Sequence, residues 1–143
     1  NFPSDAVPED DLKKFLMGKI INNGLLEEKA PGFWGFTHRS FGEYLCAVEL
    51  VREDLYFDYL EKYAYSPRWE DIFILVASEL GITQARAKKV TAYIEKIFAG
   101  KGDRIQEDIL KKNILLAGKC LSSTANVDTG LMDEIAVKLH RLF

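Results

Sequence analysis

The chain has 143 residues, 48% hydrophobic and 29% charged, which is enough for one ordinary core or two small packed subdomains. Its apolar runs, such as Ile72–Ala77, are far shorter than the roughly 18 residues of a membrane-spanning helix, and no secretory signal pattern opens the sequence. Cys46 and Cys120 lie in separate apolar stretches without a Cys or His at metal-ligand spacing. We therefore expect buried thiols, no bound metal and a reducing, cytoplasmic setting.

The net charge of −3 is unevenly distributed along the chain. Residues 1–65 carry 7 Lys+Arg and 12 Asp+Glu, a net charge of −5, whereas residues 66–143 carry 12 and 10, a net charge of +2. An acidic amino-terminal half repels phosphate backbones, so we do not expect nucleic acid to be a partner.

The first predicted element is a helix that begins at Pro8. Proline lacks the amide that would be unpaired at this position, and the acidic residues that follow it favour the positive end of the helix dipole. An apolar stripe follows at helical spacing, and Asn22–Gly24 supply the left-handed stop. The stripe consists of Leu12, Phe15, Leu16 and Ile20.

Two extended runs follow, Leu25–Lys29 and Phe33–His38, joined by Ala30-Pro31-Gly32. Proline presets the first central position of a type II turn and glycine accepts the positive φ of the second, so we predict a β-hairpin. Side chains alternate along a strand, which places Trp34, Phe36 and His38 on one face. A helix, a hairpin and a further helix predict a winged-helix subdomain over residues 1–65.

Ser40-Phe41-Gly42-Glu43 matches a capping box, in which Ser40 and Glu43 each satisfy an amide of the first helical turn. The sequence therefore predicts a helix from about Phe41. Its buried face has three- and four-residue spacing. It comprises Phe41, Tyr44, Leu45, Val48, Val51 and Leu55.

The sequence pattern of residues 66–143 predicts helices separated by short breaks. Predicted starts are Ser66-Pro67, Thr83, Asp103 with Gln106, and the neighbourhood of Asp128. Four helices with short loops predict two antiparallel pairs, the unit from which HEAT-like helical arrays are built. The predicted fold class is mainly α: a winged-helix subdomain with one β-hairpin, then a helical-repeat-like subdomain over 66–143.

The stretch FTHRSFGEYLCAVEL, Phe36 to Leu50, resembles the end of the winged-helix part of NACHT-family (STAND-class) NTPases, of the form Phe-x-His-x-x-Phe-x-Glu-Tyr/Phe-Leu-x-Ala. The stretches RWEDIFILVASELG (Arg68–Gly81) and NILLAGKCLSS (Asn113–Ser123) are similar to the helical region that follows in many bacterial members. The resemblance thus covers nearly the whole chain. Two departures stand out. Gly42 replaces the usual Gln, and no G-x-x-x-x-G-K-[ST] loop is present.

The resemblance implies a regulatory, non-enzymatic fragment of a signalling switch whose nucleotide-binding core belongs to the same parent polypeptide. In the family this histidine contacts the phosphates of ADP in the closed state, which assigns that role to His38 with Arg39 as an accessory contact. The expected cofactors of the parent are ADP or ATP with Mg. The expected partners are the NTPase core, and protein partners or further copies of the chain bound through the helical region.

Three other interpretations compete with this one. His38 could instead pack against Trp34 and Phe36 with its N–H on a backbone carbonyl, and the chain would then be a stand-alone helical protein-interaction module. A triad of His38, Ser40 and Glu43 is disfavoured because the capping box already accounts for Ser40 and Glu43.

DNA binding by the winged helix is disfavoured by the acidic hairpin and the acidic helix after it. A solvated helix face is the expected role of the basic cluster, and core packing is the expected role of most aromatics. The cluster is Arg86, Lys88, Lys89 and Lys96. The aromatics are Trp34, Trp69, Tyr56, Tyr59, Tyr63 and Tyr65.

Overall fold

The computed structural model describes residues 23–82, 84–100 and 111–142, together with the single positions Lys14, Gly18 and Ile21, which have helical backbone. The rest of the predicted first helix lies outside the described residues. In the described part, the chain forms one two-stranded antiparallel sheet followed by six α-helices. The predicted fold class, mainly α with one β-hairpin ahead of antiparallel helix pairs, is confirmed.

The hairpin strands are β1 (Leu26–Ala30) and β2 (Phe33–Phe36). A short 3₁₀ turn, Gln84–Arg86, precedes the fourth helix. The six helices are α1 (Arg39–Arg52), α2 (Tyr56–Tyr63), α3 (Glu70–Gly81), α4 (Ala87–Phe98), α5 (Lys112–Ser123) and α6 (Thr129–His140).

The hairpin turn forms where the sequence predicts it. Gly32 has a φ of 77°, as the second central position of a type II turn requires, and its amide donates to the Glu28 carboxylate at 2.7 Å. Leu26 lies opposite Phe36, and Glu28 lies opposite Trp34. The pairing is irregular between Glu28 and Ala30, next to the turn.

Helices α2 and α4 run in the same direction, and α6 continues the series. Lys89 pairs with Asp54 at 2.8 Å just before α2, and Lys96 pairs with Glu61 further along both helices. Helices α4 and α6 are related in the same way. The Asp128 amide donates to Thr91 Oγ1 at 3.1 Å, and further along both helices Lys138 lies over the Phe98 ring at 4.4 Å. The three helices therefore lie parallel.

Helices α3 and α5 form a second parallel set. Lys119 pairs with Glu70 near the start of α3, and the Ser123 hydroxyl donates to the Ile74 carbonyl at 3.3 Å one turn later. Consecutive helices are antiparallel, because Tyr93 contacts Phe73 while Arg86 pairs with Glu79. The result is a two-layer array of helix pairs, as the sequence predicts.

The core of this array draws buried side chains from all six helices. The deepest position is around Phe73, whose carbonyl oxygen accepts from the Tyr93 hydroxyl at 3.5 Å and faces Cys120 Sγ at 3.7 Å. Both cysteines are free thiols, with Cys120 fully buried and Cys46 partly buried. Burial raises the pKa of both thiols, that of Cys120 to about 12.

The chain divides into two compact units between Gly42 and Glu43, whereas the predicted division into domains near residue 65 stays a prediction. The reason is burial: Leu50 in α1 and Tyr56 and Leu60 in α2 are at most 5% exposed and belong to the same core cluster as α3–α6. Apolar area removed from water dominates the cohesion of such units, so α2 belongs with the helix pairs.

The starts of two helices differ in how well the sequence predicts them. Asp128 is the N-cap of α6, and its Oδ1 accepts from the amides of Gly130 and Leu131 at 2.9 and 3.2 Å, as predicted. The predicted start at Ser66-Pro67 is wrong, because the Ser66 carbonyl closes a turn with the Trp69 amide and α3 begins only at Glu70. Thr83, Asp103 and Gln106 lie outside the described residues.

Candidate functional site

The candidate site is the short connection between the hairpin and α1, which carries His38. Strand β2 ends at Phe36, two residues before the predicted end. At Thr37 the amide donates to the Leu25 carbonyl at 3.0 Å, and the side-chain hydroxyl donates to the Gly24 carbonyl at 2.6 Å. These bonds close the hairpin at Thr37, so the strand alternation that placed His38 beside Trp34 and Phe36 does not extend to His38.

The imidazole of His38 is exposed. Its ring lies 5.9 Å from the ring of Phe41, centroid to centroid, with 54° between the planes. The hydrogen bonds found among the described residues do not involve this imidazole. Among the described residues, the alternative in which His38 packs in the hairpin with its N–H on a backbone carbonyl is therefore wrong.

Helix α1 begins directly after His38. The His38 carbonyl accepts from the Phe41 amide at 3.1 Å, which makes His38 the residue that starts the first turn. That turn contains Arg39 and no acidic residue. Amides of a first helical turn have no partner inside the helix, and the helix dipole adds positive potential there. The chain thus places His38 and Arg39 next to each other at a helix amino terminus, where an anion such as phosphate is favoured.

The predicted capping box is not formed. Because α1 begins at Arg39 and not near Phe41, Ser40 is the second residue of the helix and Glu43 the fifth, so neither is at the position the motif requires. The helix starts earlier because the backbone amide of Phe41 already donates to the His38 carbonyl. Ser40 is exposed and Glu43 is partly exposed.

The basic cluster of α4 is mostly paired with carboxylates. Lys89 binds Asp54, Lys96 binds Glu61, and Arg86 lies 3.7 Å from Glu79. Hydrogen bonds, first from Lys89 and then from Tyr56, lower the pKa of the Asp54 carboxyl, so this pair is charged at neutral pH. These cations join helices, which agrees with the expectation that they form a helix face.

The aromatic side chains divide into buried and exposed groups. Tyr63 stacks on Trp69 with 4.5 Å between centroids and 2° between planes, and both rings pack against the core as predicted. Trp34 and Tyr65 are 44% and 38% exposed, so the expectation of core packing is wrong for these two. Phe33 on β2 is more exposed still, at 73%.

A shallow surface depression lies between α2, α4 and α5. Two adjoining cavities of about 180 and 190 Å³ share Ala64, Tyr65, Lys112 and Leu116 in their walls. Sequence patterns do not predict this depression, because its walls come from helices separated by about 50 residues. Among the described residues, three or more His, Cys, Asp or Glu side chains nowhere come together as a metal site, and no helix is long and apolar enough to span a membrane.

Gly42, close to His38 in the sequence, stands out there only because it replaces the usual Gln. A Cβ at this position would lie 3.0 Å from Phe36 Cδ2 and 3.3 Å from Phe36 Cε2. A glycine inside a helical pattern is the signal that could have found this contact, because glycine costs helix stability and its presence there indicates a close neighbour.

Comparison of the chain with protein-family models, with curated proteins and with solved structures finds no match.

Proposed function

We propose that the chain is a regulatory part of a NACHT-type signalling NTPase and that His38 binds a phosphate of the nucleotide held by the NTPase core. The observation that carries the proposal is the exposed imidazole at the hairpin–helix junction, followed by Arg39 and by a first turn without acidic residues. The resemblance of Phe36–Leu50 to the family's histidine segment is the reason for proposing a nucleotide phosphate as the anion.

The chemistry asked of His38 is binding and not catalysis. A neutral imidazole donates one hydrogen bond to a phosphate oxygen, and a protonated imidazole adds a positive charge. Arg39, the first residue of α1, supplies a second cationic donor, and guanidinium groups suit phosphate geometry. Binding of this kind favours the closed, ADP-bound state over the open, oligomerising state by the difference in phosphate contacts between the two.

The rest of the proposal concerns the nucleotide and the helical array. ADP or ATP with Mg belongs to the NTPase core of the same polypeptide, and the helical array α2–α6 relays sensing to partner proteins or to further copies of the chain. The contacts of α2–α6 form a connected core, so a displacement at one end is transmitted through packed side chains.

The first test is the gene that encodes the chain. We expect a G-x-x-x-x-G-K-[ST] phosphate-binding loop upstream of Asn1 in the same reading frame, because a regulatory segment of this kind acts on a core in its own polypeptide. A complete gene product without such a loop would refute the proposal.

The second test is the release of ADP from the full-length gene product. His38→Ala should raise the dissociation rate of a fluorescent ADP analogue about 10- to 100-fold, because a hydrogen bond to a charged group contributes about 1.5–3 kcal/mol. His140→Ala is the matched control, since His140 is also exposed but lies at the end of α6. Equal dissociation rates in wild type and His38→Ala would contradict the proposal.

A stand-alone protein-interaction module is the second candidate function. The observation that favours it is the two-layer array of α2–α6, which forms a compact unit without the hairpin. Under this alternative, the gene product binds a protein partner through α2–α6, and His38→Ala changes neither ADP release nor partner binding. A pull-down that compares His38→Ala with Lys112→Glu, in the wall of the surface depression, distinguishes the two candidates.

A further inference from the structure

The ring of Phe36 lies directly on the backbone of Gly42. A Cβ at Gly42 would come within 3.0 Å of Cδ2, 3.3 Å of Cε2 and 3.8 Å of Cγ of that ring. Ordinary carbon–carbon contacts are about 3.5–4.0 Å, so a Cβ at position 42 would require the ring to shift by a few tenths of an ångström. The contact joins the last residue of β2 to the first turn of α1.

This contact closes the short segment that carries His38. Thr37 is bonded to the backbone of residues 24 and 25, and the His38 carbonyl is bonded to the Phe41 amide. The Phe36–Gly42 contact adds a third constraint that spans the segment from end to end. The backbone of His38 is therefore held from both sides while its side chain stays exposed.

Glycine is an unfavourable choice in the first turn of this helix. It is the poorest helix former apart from proline, and no positive φ requires it, because the positive-φ glycines of the described residues are Gly24 and Gly32. The close approach of the Phe36 ring is the physical reason that remains for a residue without a Cβ.

We propose that Gly42 is a positioning residue for His38: its missing side chain admits the Phe36 ring, and that contact sets the direction of the imidazole. The inference rests on the proposed function for the ligand that His38 meets. The geometric part concerns the backbone, because the contacts hold the His38 backbone and, through it, the direction in which the side chain leaves the chain.

The geometric part is tested on the chain by nuclear Overhauser effects between the rings of His38 and Phe41, whose centroids are 5.9 Å apart. Gly42→Ala should weaken or abolish these effects. Gly18→Ala is the matched control, because Gly18 is also helical and a Cβ there would meet no described atom within 4 Å. Unchanged His38–Phe41 effects in Gly42→Ala would overturn the inference.

A second background keeps the test decisive if Gly42→Ala unfolds the hairpin. In Phe36→Leu the smaller side chain leaves room for a Cβ, so adding Gly42→Ala should produce almost no further change in the His38 signals. An equal effect of Gly42→Ala in both backgrounds would show that the Phe36 contact is not the cause.

The functional part is tested by ADP release from the full-length gene product. Gly42→Ala should raise the ADP dissociation rate about tenfold, the lower end of the value of a hydrogen bond to a charged group, because the imidazole is turned and not removed. In the His38→Ala background it should have no further effect. If His38→Ala raises the rate and Gly42→Ala does not, the inference fails and the proposed function stands. If His38→Ala has no effect, the proposed function fails, and the ring-to-ring signals alone decide the role of Gly42.

Discussion

Alkaline pH should destabilise the helical unit through one buried thiol, that of Cys120. This side chain has no exposed surface, and its Sγ faces the Phe73 carbonyl in the centre of the core. Burial raises its pKa from the ordinary value of 9.0 to about 12, with the negative charge of Glu70 as a smaller cause. A thiolate is thus strongly disfavoured in the folded state.

The size of the effect follows from the two pKa values. The folded protein keeps a proton that the unfolded chain releases, so the contribution is intact below about pH 9 and is lost as the pH rises through about 12. At pH 11 the unfolded thiol is about two units above its pKa, and each unit corresponds to about 1.4 kcal/mol. The free energy of unfolding should therefore fall by about 3 kcal/mol from this group alone.

Urea unfolding at about pH 7.5 and pH 11 measures the effect. Wild type should lose about 3 kcal/mol more between the two pH values than Cys120→Ala, with equal denaturant slopes in both. Cys46→Ala is the control, because Cys46 is only partly buried and its pKa is raised less severely by burial. Tyr93, whose pKa burial raises well above 10.0, adds a loss in the same direction that Tyr93→Phe should remove.

An alkaline loss of the same size in wild type and in Cys120→Ala would refute this reasoning. It would mean that the folded state ionises Cys120 as easily as the unfolded chain does, which requires water to reach the centre of the core.

Two further changes test the packing of the helix pairs. A Cβ on Gly81 would overlap the Thr124 side chain and lie 2.9 Å from the Ala125 carbonyl oxygen. Gly81→Ala should therefore lower the free energy of unfolding, measured in urea, by about 1–3 kcal/mol, although alanine is the better helix former. A gain in stability would contradict this prediction. Asp128→Ala removes the N-cap of α6 and should lower the free energy of unfolding by about 1 kcal/mol in the same assay. Asp133→Ala, inside that helix, should leave this free energy almost unchanged. Equal losses in the two variants would exclude a capping role.

Local chemistry made parts of the fold predictable. The Pro31-Gly32 pair places the hairpin turn, because Gly32 alone accepts the positive φ, and Asp128 starts α6 because its carboxylate can bind the free amides of the first turn. The same local reasoning fails at Ser66 and Ser40. At Ser66 the carbonyl of Ser66 itself, and near Ser40 the carbonyl of His38, closes the turn in place of the serine hydroxyl.

The candidate site shows more clearly what local sequence patterns do not predict. The sequence singled out His38 through its spacing to Phe36 and Phe41, but it placed the imidazole on a strand face beside Trp34. The two hydrogen bonds of Thr37 end the strand earlier, and they depend on carbonyl groups 12 and 13 residues away.

By itself the sequence determined the elements whose cause is local, namely the hairpin, the mainly helical character and the buried character of Cys120. It did not determine the buried face of α1, because Phe41, Tyr44 and Leu45, which the spacing predicts to be buried, are exposed. Only the tertiary structure decided which helices share a core and where the chain divides into compact units. Those outcomes depend on contacts between residues far apart in the chain, such as Glu61 with Lys96 and Cys120 with Phe73, and no local pattern encodes which distant surface a helix will meet.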